Sequence, residues 1–214
     1  MRRGISIIAA VVAGVCGLGG CTGGDAVADP PTPSVVVSVT PTPTPSPTTT
    51  APWPSATPSP TVSVDAMGIV TKPSKRPGMS KHTVDGAAAA AQYYLDLYAY
   101  SLSSVTKREL VALADPDCIF CASVAKDVDE RRKNGTHEVG GTMAYKDVVA
   151  RKTTPTSYFV TLTARQSPSR TLDDSDRVVE DFPRTTDNDV SMVLHWVDDR
   201  WITRAVTIAN SRPA

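Results

Sequence analysis

The sequence predicts an α+β domain, its N-terminal helices packed on a curved antiparallel sheet, behind a signal peptide and a disordered linker. Three observations predict it. Apolar residues recur at helical spacing from Thr83 to Gly135, the period changes to two beyond Thr142, and residues 30–60 carry neither pattern. Helices first and a meander of strands afterwards, rather than their alternation, is the order of an α+β fold. Three segments follow: a signal peptide over 1–20, an N-terminal segment and linker over 21–79, and the folded domain over 80–214. The last is long enough for one hydrophobic core.

Arg2 and Arg3 form a positive start, and Ile5 to Leu18 is an apolar run too short to span a bilayer, which takes about 20 residues. Leu18-Gly19-Gly20-Cys21 closes that run and resembles the bacterial lipobox. The resemblance implies acylation of the Cys21 thiol, cleavage between Gly20 and Cys21, and a protein lipid-anchored in the cell membrane on its extracytoplasmic face. Each buried methylene of a two-chain anchor is worth about 0.8 kcal/mol, so anchoring would be stable.

Residues 30–60 hold 11 of the 18 prolines and no charged side chain. Such a tract lacks the amide donors for helix or sheet and favours an extended tether of about 3.1 Å per residue. The whole chain carries 22 basic and 22 acidic residues, and from Pro77 onward 17 basic face 19 acidic. That balance excludes a nucleic-acid partner. With Cys16 in the signal and Cys21 acylated, Cys118 and Cys121 are left, and an exported pair three apart reads most simply as a disulfide.

The first helix starts at a Thr83 cap and runs to about Leu102 through the alanines Ala87 to Ala91, with Ala90, Tyr94, Leu97 or Tyr98, and Leu102 on its buried stripe. Thr106 and Glu109 have the spacing of a capping box for a short second helix. Asp115 and Pro116 read as the cap and first residue of a third, with Phe120, Val124 and Val128 on one face and Gly135 at its end. Strands follow over Thr142–Arg151, Thr156–Gln166, Val190–Val197 and Arg200–Ile208. Asp198-Asp199 makes the last turn, and Gly140-Gly141 is a bulge or a sharp entry into the sheet. Ser167–Ser175 reads as a polar connection, and Val178-Val179 as a short extra strand.

This order resembles the nuclear-transport-factor-like cone, also called SnoaL-like or cystatin-like. More narrowly, the chain resembles an actinobacterial lipoprotein family, domain of unknown function family 6318. The residues that carry the resemblance are Asp85-Gly86-Ala87, Tyr93-Tyr94, Asp115-Pro116-Asp117-Cys118-Ile119-Phe120-Cys121, Gly140-Gly141, and the hairpin with Trp196 and Trp201. It implies secretion, lipid anchoring and the cone fold, and brings no established catalytic residues.

Several motifs bear on chemistry. Cys118-Ile119-Phe120-Cys121 near a helix start is the setting of low-pKa redox thiols, yet no strand precedes it as in a thioredoxin-like unit; a structural disulfide is the simpler reading. Neither His137 nor His195 has zinc-site spacing to the cysteines, so no metal or other cofactor is expected. Ser123-Val124-Ala125-Lys126 matches S-x-x-K without its partner motifs, and Asn134-Gly135-Thr136 is a helix end rather than a glycosylation site. A cone pocket would be lined by Tyr94 and Tyr98, with Asp147 and His195 as titratable strand residues. No catalytic set is evident. The expectation is a non-catalytic module that binds an envelope protein or small ligand, with a small cone-fold enzyme and a thiol–disulfide factor as alternatives.

Overall fold

The computed structural model describes residues 63–214. The expected signal peptide, the expected lipidation site Cys21 and the proline-rich tract lie outside the described residues. Helix α1, Val84–Ser104, is capped as expected: Thr83 Oγ1 accepts the Gly86 amide at 3.0 Å. Only glycine fits at position 86, where a Cβ would stand 2.0 Å from the Lys81 carbonyl oxygen. The small side chains of Ala87, Ala90 and Ala91 are fully buried, which lets the helix lie close to the sheet beneath it.

Two helix starts differ from expectation. Helix α2, Arg108–Ala112, starts after Lys107 with no side-chain cap. The expected capping box does not form, because the Glu109 carboxylate turns to Lys72 Nζ at 2.6 Å. Helix α3, Ile119–Asn134, begins later than Pro116. Asp115 Oδ1 accepts the Asp117 amide at 2.9 Å, making Asp115-Pro116-Asp117 a turn, and Cys118 becomes the N-cap. Cys118 Sγ accepts the Cys121 amide at 3.2 Å. Gly135 ends α3 in the left-handed region, as expected. Phe120 leaves the expected stripe: Cys121, Val124 and Val128 are buried, while Phe120 tilts against Tyr98 with ring centroids 5.9 Å apart.

Seven strands follow: β1 Thr136–Gly140, β2 Met143–Lys152, β3 Ser157–Gln166, β4 Ser169–Asp173, β5 Val178–Phe182, β6 Thr186–Val197 and β7 Arg200–Pro213. They form two antiparallel sheets, β2-β3-β6-β7 and β1-β4-β5. The larger is the expected meander, and Asp198 and Asp199, both at positive φ, close its last hairpin. In the smaller, β5 contains the short strand expected at Val178-Val179, whereas β1 and β4 differ from expectation. Ser167–Ser175 contains strand β4, whose buried positions are Ser169 and Thr171, so alternation of apolar residues could not mark it. Strand β6 likewise starts at Thr186, not Val190. Its buried Asp187 is neutralised by Lys146 at 2.7 Å and Arg165 at 2.8 Å, so an acidic residue fits inside the ladder.

The folded part also starts before Ser80. Val70 is buried and its amide donates to Ser103 Oγ on α1, which donates to the Glu138 carbonyl on β1. Met79 is buried too, its carbonyl accepting the Trp201 indole N–H at 2.8 Å. Residues 63–79, read as linker because they show no clear periodicity, are a strap along α1, with Val70 bonded at Ser103 and Arg76 at Asp96 and Gln92. The core lies between α1 and the larger sheet, filled by Tyr94, Leu97, Tyr158, Val160, Met192, Leu194 and Trp201.

Candidate functional site

Tyr94, Tyr98, Asp147 and His195 do not assemble into one pocket. Tyr94 is 1% exposed within the core, and its hydroxyl has no hydrogen-bond partner among the described residues. Burial holds that phenol far above its usual range. Tyr98 is half-buried against Phe120, its phenol pushed up to about 12 by burial. Asp147 is exposed at positive φ in a bulge of β2, between Lys146 and Val149. His195 alternates with buried Met192 and Leu194 on β6, so it stands on the opposite face with Ser191 and Val193. There it adds to the field on Asp115, whose carboxyl is held low first by the Asp117 amide and then by Arg204.

The polar group inside the core comes from elsewhere. Asp96 on α1 is fully buried, with Oδ2 bound by Arg76 Nη2 at 2.9 Å and Oδ1 by the Tyr145 hydroxyl at 2.8 Å. Arg76 also reaches Gln92 Oε1 at 2.8 Å. Burial pushes the Asp96 carboxyl above its usual range, while Arg76 and Tyr145 pull it back. The network is closed, with every oxygen of Asp96 answered from the domain's own strap and sheet. It locks residues 63–79 to α1.

Cys118 and Cys121 form the expected disulfide, with Cα atoms 5.2 Å apart. The cysteines are 1% and 3% exposed, and Cys121 Sγ lies against the Thr203 carbonyl of β7. An exchange partner has no access to sulfurs placed so, and the bridge pins the start of α3 to the sheet.

The smaller sheet is built differently. Glu138 of β1 and Thr171 of β4 are buried, and Glu180 of β5 continues the same row in register. Arg131 of α3 reaches across to Thr171 Oγ1 at 3.3 Å and towards Glu138 at 3.8 Å, and pairs with Asp127 at 3.3 Å. Burial pushes the Glu138 carboxyl up, its hydrogen bond to Ser169 and the Arg131 charge opposing. An open depression of about 260 Å³ lies over this row, bordered by Asp127, Glu130, Arg131 and Glu180. Beside it every residue of β5 is exposed, with Val178, Val179 and Phe182 at 50%, 56% and 48%.

The family of unknown function DUF6318 matches residues 69–207. The chain belongs to this family. No curated protein matches it in sequence. A putative scytalone dehydratase from Novosphingobium aromaticivorans is similar at 14% identity and a TM-score of 0.39, over 61% of this chain and 88% of that one. An uncharacterised protein with a cystatin-like fold from Caulobacter vibrioides is similar at 13% and 0.35, over 56% and 88%. A putative calcium/calmodulin-dependent protein kinase II association domain from Xanthomonas campestris is similar at 11% and 0.36, over 67% and 96%. Likeness at this level carries nothing about activity.

Within the DUF6318 domain, Arg76, Asp96 and Tyr145 escaped sequence reasoning because they come from the strap, the helix and β2 and meet only in space. One signal was present: Asp96 sits between Tyr93 and Leu97 in the most apolar stretch of α1, where a carboxylate needs a partner. Among the described residues no helix is long and apolar enough to cross a membrane, and no His, Cys, Asp and Glu group could hold a metal ion.

Proposed function

We propose that this is a lipid-anchored cell-envelope protein whose DUF6318 domain is a non-catalytic binding module held outside the membrane. The anchor rests on Leu18-Gly19-Gly20-Cys21 at the end of an apolar run, followed by an uncharged proline-rich tether. One observation carries the binding half: the space between α1 and the larger sheet is occupied by the chain's own side chains, and the carboxylate buried there is closed by Arg76 and Tyr145. Acid–base chemistry needs titratable groups converging on room for a substrate. Here Tyr94 is packed into the core, and Asp147 and His195 stand apart on the outside. What the domain presents to other molecules is its outer surface.

Two measurements test this reading. Cys21→Ser should move the protein from the membrane fraction to the soluble one and remove the acyl mass; a variant that stays membrane-bound contradicts the anchor. Crosslinking in the native envelope should then capture a specific partner with the wild-type chain. Turnover of an envelope metabolite by the purified protein would contradict the non-catalytic reading.

A further inference from the structure

The four outer strands of the two sheets are not equally protected. Strand β2 is bulged at Asp147 and carries Lys146, Arg151 and Lys152, features that keep an edge from pairing with another chain. Strand β7 is shifted twice in register against β6. The Gly140 amide at the end of β1 is already bonded to the Gly68 carbonyl of the strap. Strand β5 carries one bulge and two carboxylates, Glu180 and Asp181, but no basic side chain and, among the described residues, no bond to the strap. Among the described residues it pairs with β4 alone, and its single irregularity falls at Val179, before Glu180.

Its charge is also uncommitted. Glu180 has no ion-pair partner among the described residues, whereas Glu130 pairs with Lys126 at 3.6 Å and Arg131 is shared by Asp127 and Glu138. The depression beside Glu180 thus shows three carboxylates against one guanidinium that is already bound. A cation arriving there meets acceptors, and an anion meets repulsion. Pairing with a second copy of β5 is disfavoured for the same reason. Antiparallel β5 strands centred on Glu180 would set the two Glu180 carboxylates opposite each other, a destabilising arrangement.

We propose that β5 is a strand-addition site for an extended segment of a partner protein, which places a lysine or arginine opposite Glu180 and apolar residues against Val179 and Phe182. Backbone hydrogen bonds along the free edge would supply affinity, and the depression would supply specificity for the cationic side chain. The proposal rests on the binding-module reading and adds where, and to what chemistry, the module binds.

The test is selection of random decapeptides displayed on phage against the full-length chain. Selected sequences should combine β-branched residues with at least one lysine or arginine. Their binding should fall at least tenfold in E180K, and in Val179→Pro, with the thermal unfolding of E180K unchanged. Acidic selected peptides, or equal binding by E180K, overturn the proposal. So does a wild-type chain that dimerises and becomes monomeric in E180K, which would make a second copy the occupant. The valine-rich run Val35-Val36-Val37 is the remaining candidate occupant. Replacing Val36 and Val37 by serine should leave peptide binding unchanged, and a tenfold rise would identify that run as the occupant instead. A partner captured from the envelope equally by wild type and E180K would refute this site alone; no captured partner would refute the binding reading itself.

Discussion

The two sheets of the domain use their covered faces in opposite ways. The larger buries apolar and aromatic side chains against α1: Tyr158, Val160, Met192, Leu194 and Trp201, with Tyr158 and Trp201 edge to face at 5.0 Å. The smaller covers Glu138, Ser169 and Thr171, and leaves its last strand exposed on both faces. Buried apolar area supplies most folding free energy, while covered polar groups add little unless each is paired. The larger sheet therefore carries the stability of the fold, and the smaller has freedom to carry recognition.

That contrast can be broken by mutation. Trp201→Ala removes the largest aromatic of the core and the indole bond that fastens Met79, and should cost about 3–5 kcal/mol in chemical denaturation. A loss below about 1 kcal/mol would mean the larger sheet is not the stability centre. Arg76→Ala leaves the Asp96 carboxylate buried without its cation, at a cost of about 3 kcal/mol near neutral pH. The sign with pH is fixed by the raised carboxyl. The folded protein holds that proton where the unfolded chain has lost it, so stability declines as pH rises above the unfolded value of about 3.9 towards the folded one. Without Arg76 the folded value rises further. The variant should recover most of its loss when unfolding is measured near pH 4, and a pH-independent loss would contradict a charged Asp96.

Smaller effects sharpen the same contrast. Replacing Cys118 and Cys121 together by serine removes a short cross-link, worth about 2 kcal/mol in the chain-entropy model. Unfolding with and without reductant should differ in the wild type and agree in the variant. Tyr94→Phe removes a buried hydroxyl that has no partner among the described residues, and should stabilise the domain by up to about 1 kcal/mol. A clear destabilisation would mean that this hydroxyl serves a water or ligand inside the core.

How much of this was legible in the sequence follows the same division. The larger sheet and α1 announce themselves, because Val190, Met192 and Leu194 alternate and Ala90, Tyr94 and Leu97 recur at helical spacing. In the smaller sheet β1 and β4 are silent, since a strand whose covered residues are Glu138, Ser169 and Thr171 has no apolar period to read. The strap was misassigned for a related reason. Its hold comes from Arg76, Met79 and backbone bonds to residues far along the chain, while its own residues show neither helical nor alternating spacing. The disulfide was read correctly because elimination leaves two cysteines three apart, whereas the start of α3 was not, since an Asx turn and an N-terminal cap share the same residues. The candidate pocket failed because alternation fixes which face His195 takes and says nothing of which side chains converge in space.

The most direct test of a filled interior and an open edge is site-specific photocrosslinking in native envelopes, with the photoreactive residue at exposed Val179 or at exposed Val149 of the bulged β2 edge. The account predicts a partner captured at position 179 through a segment containing lysine or arginine, lost in E180K, and no capture at position 149. Capture at position 149 alone, or capture at 179 that survives E180K, would contradict it.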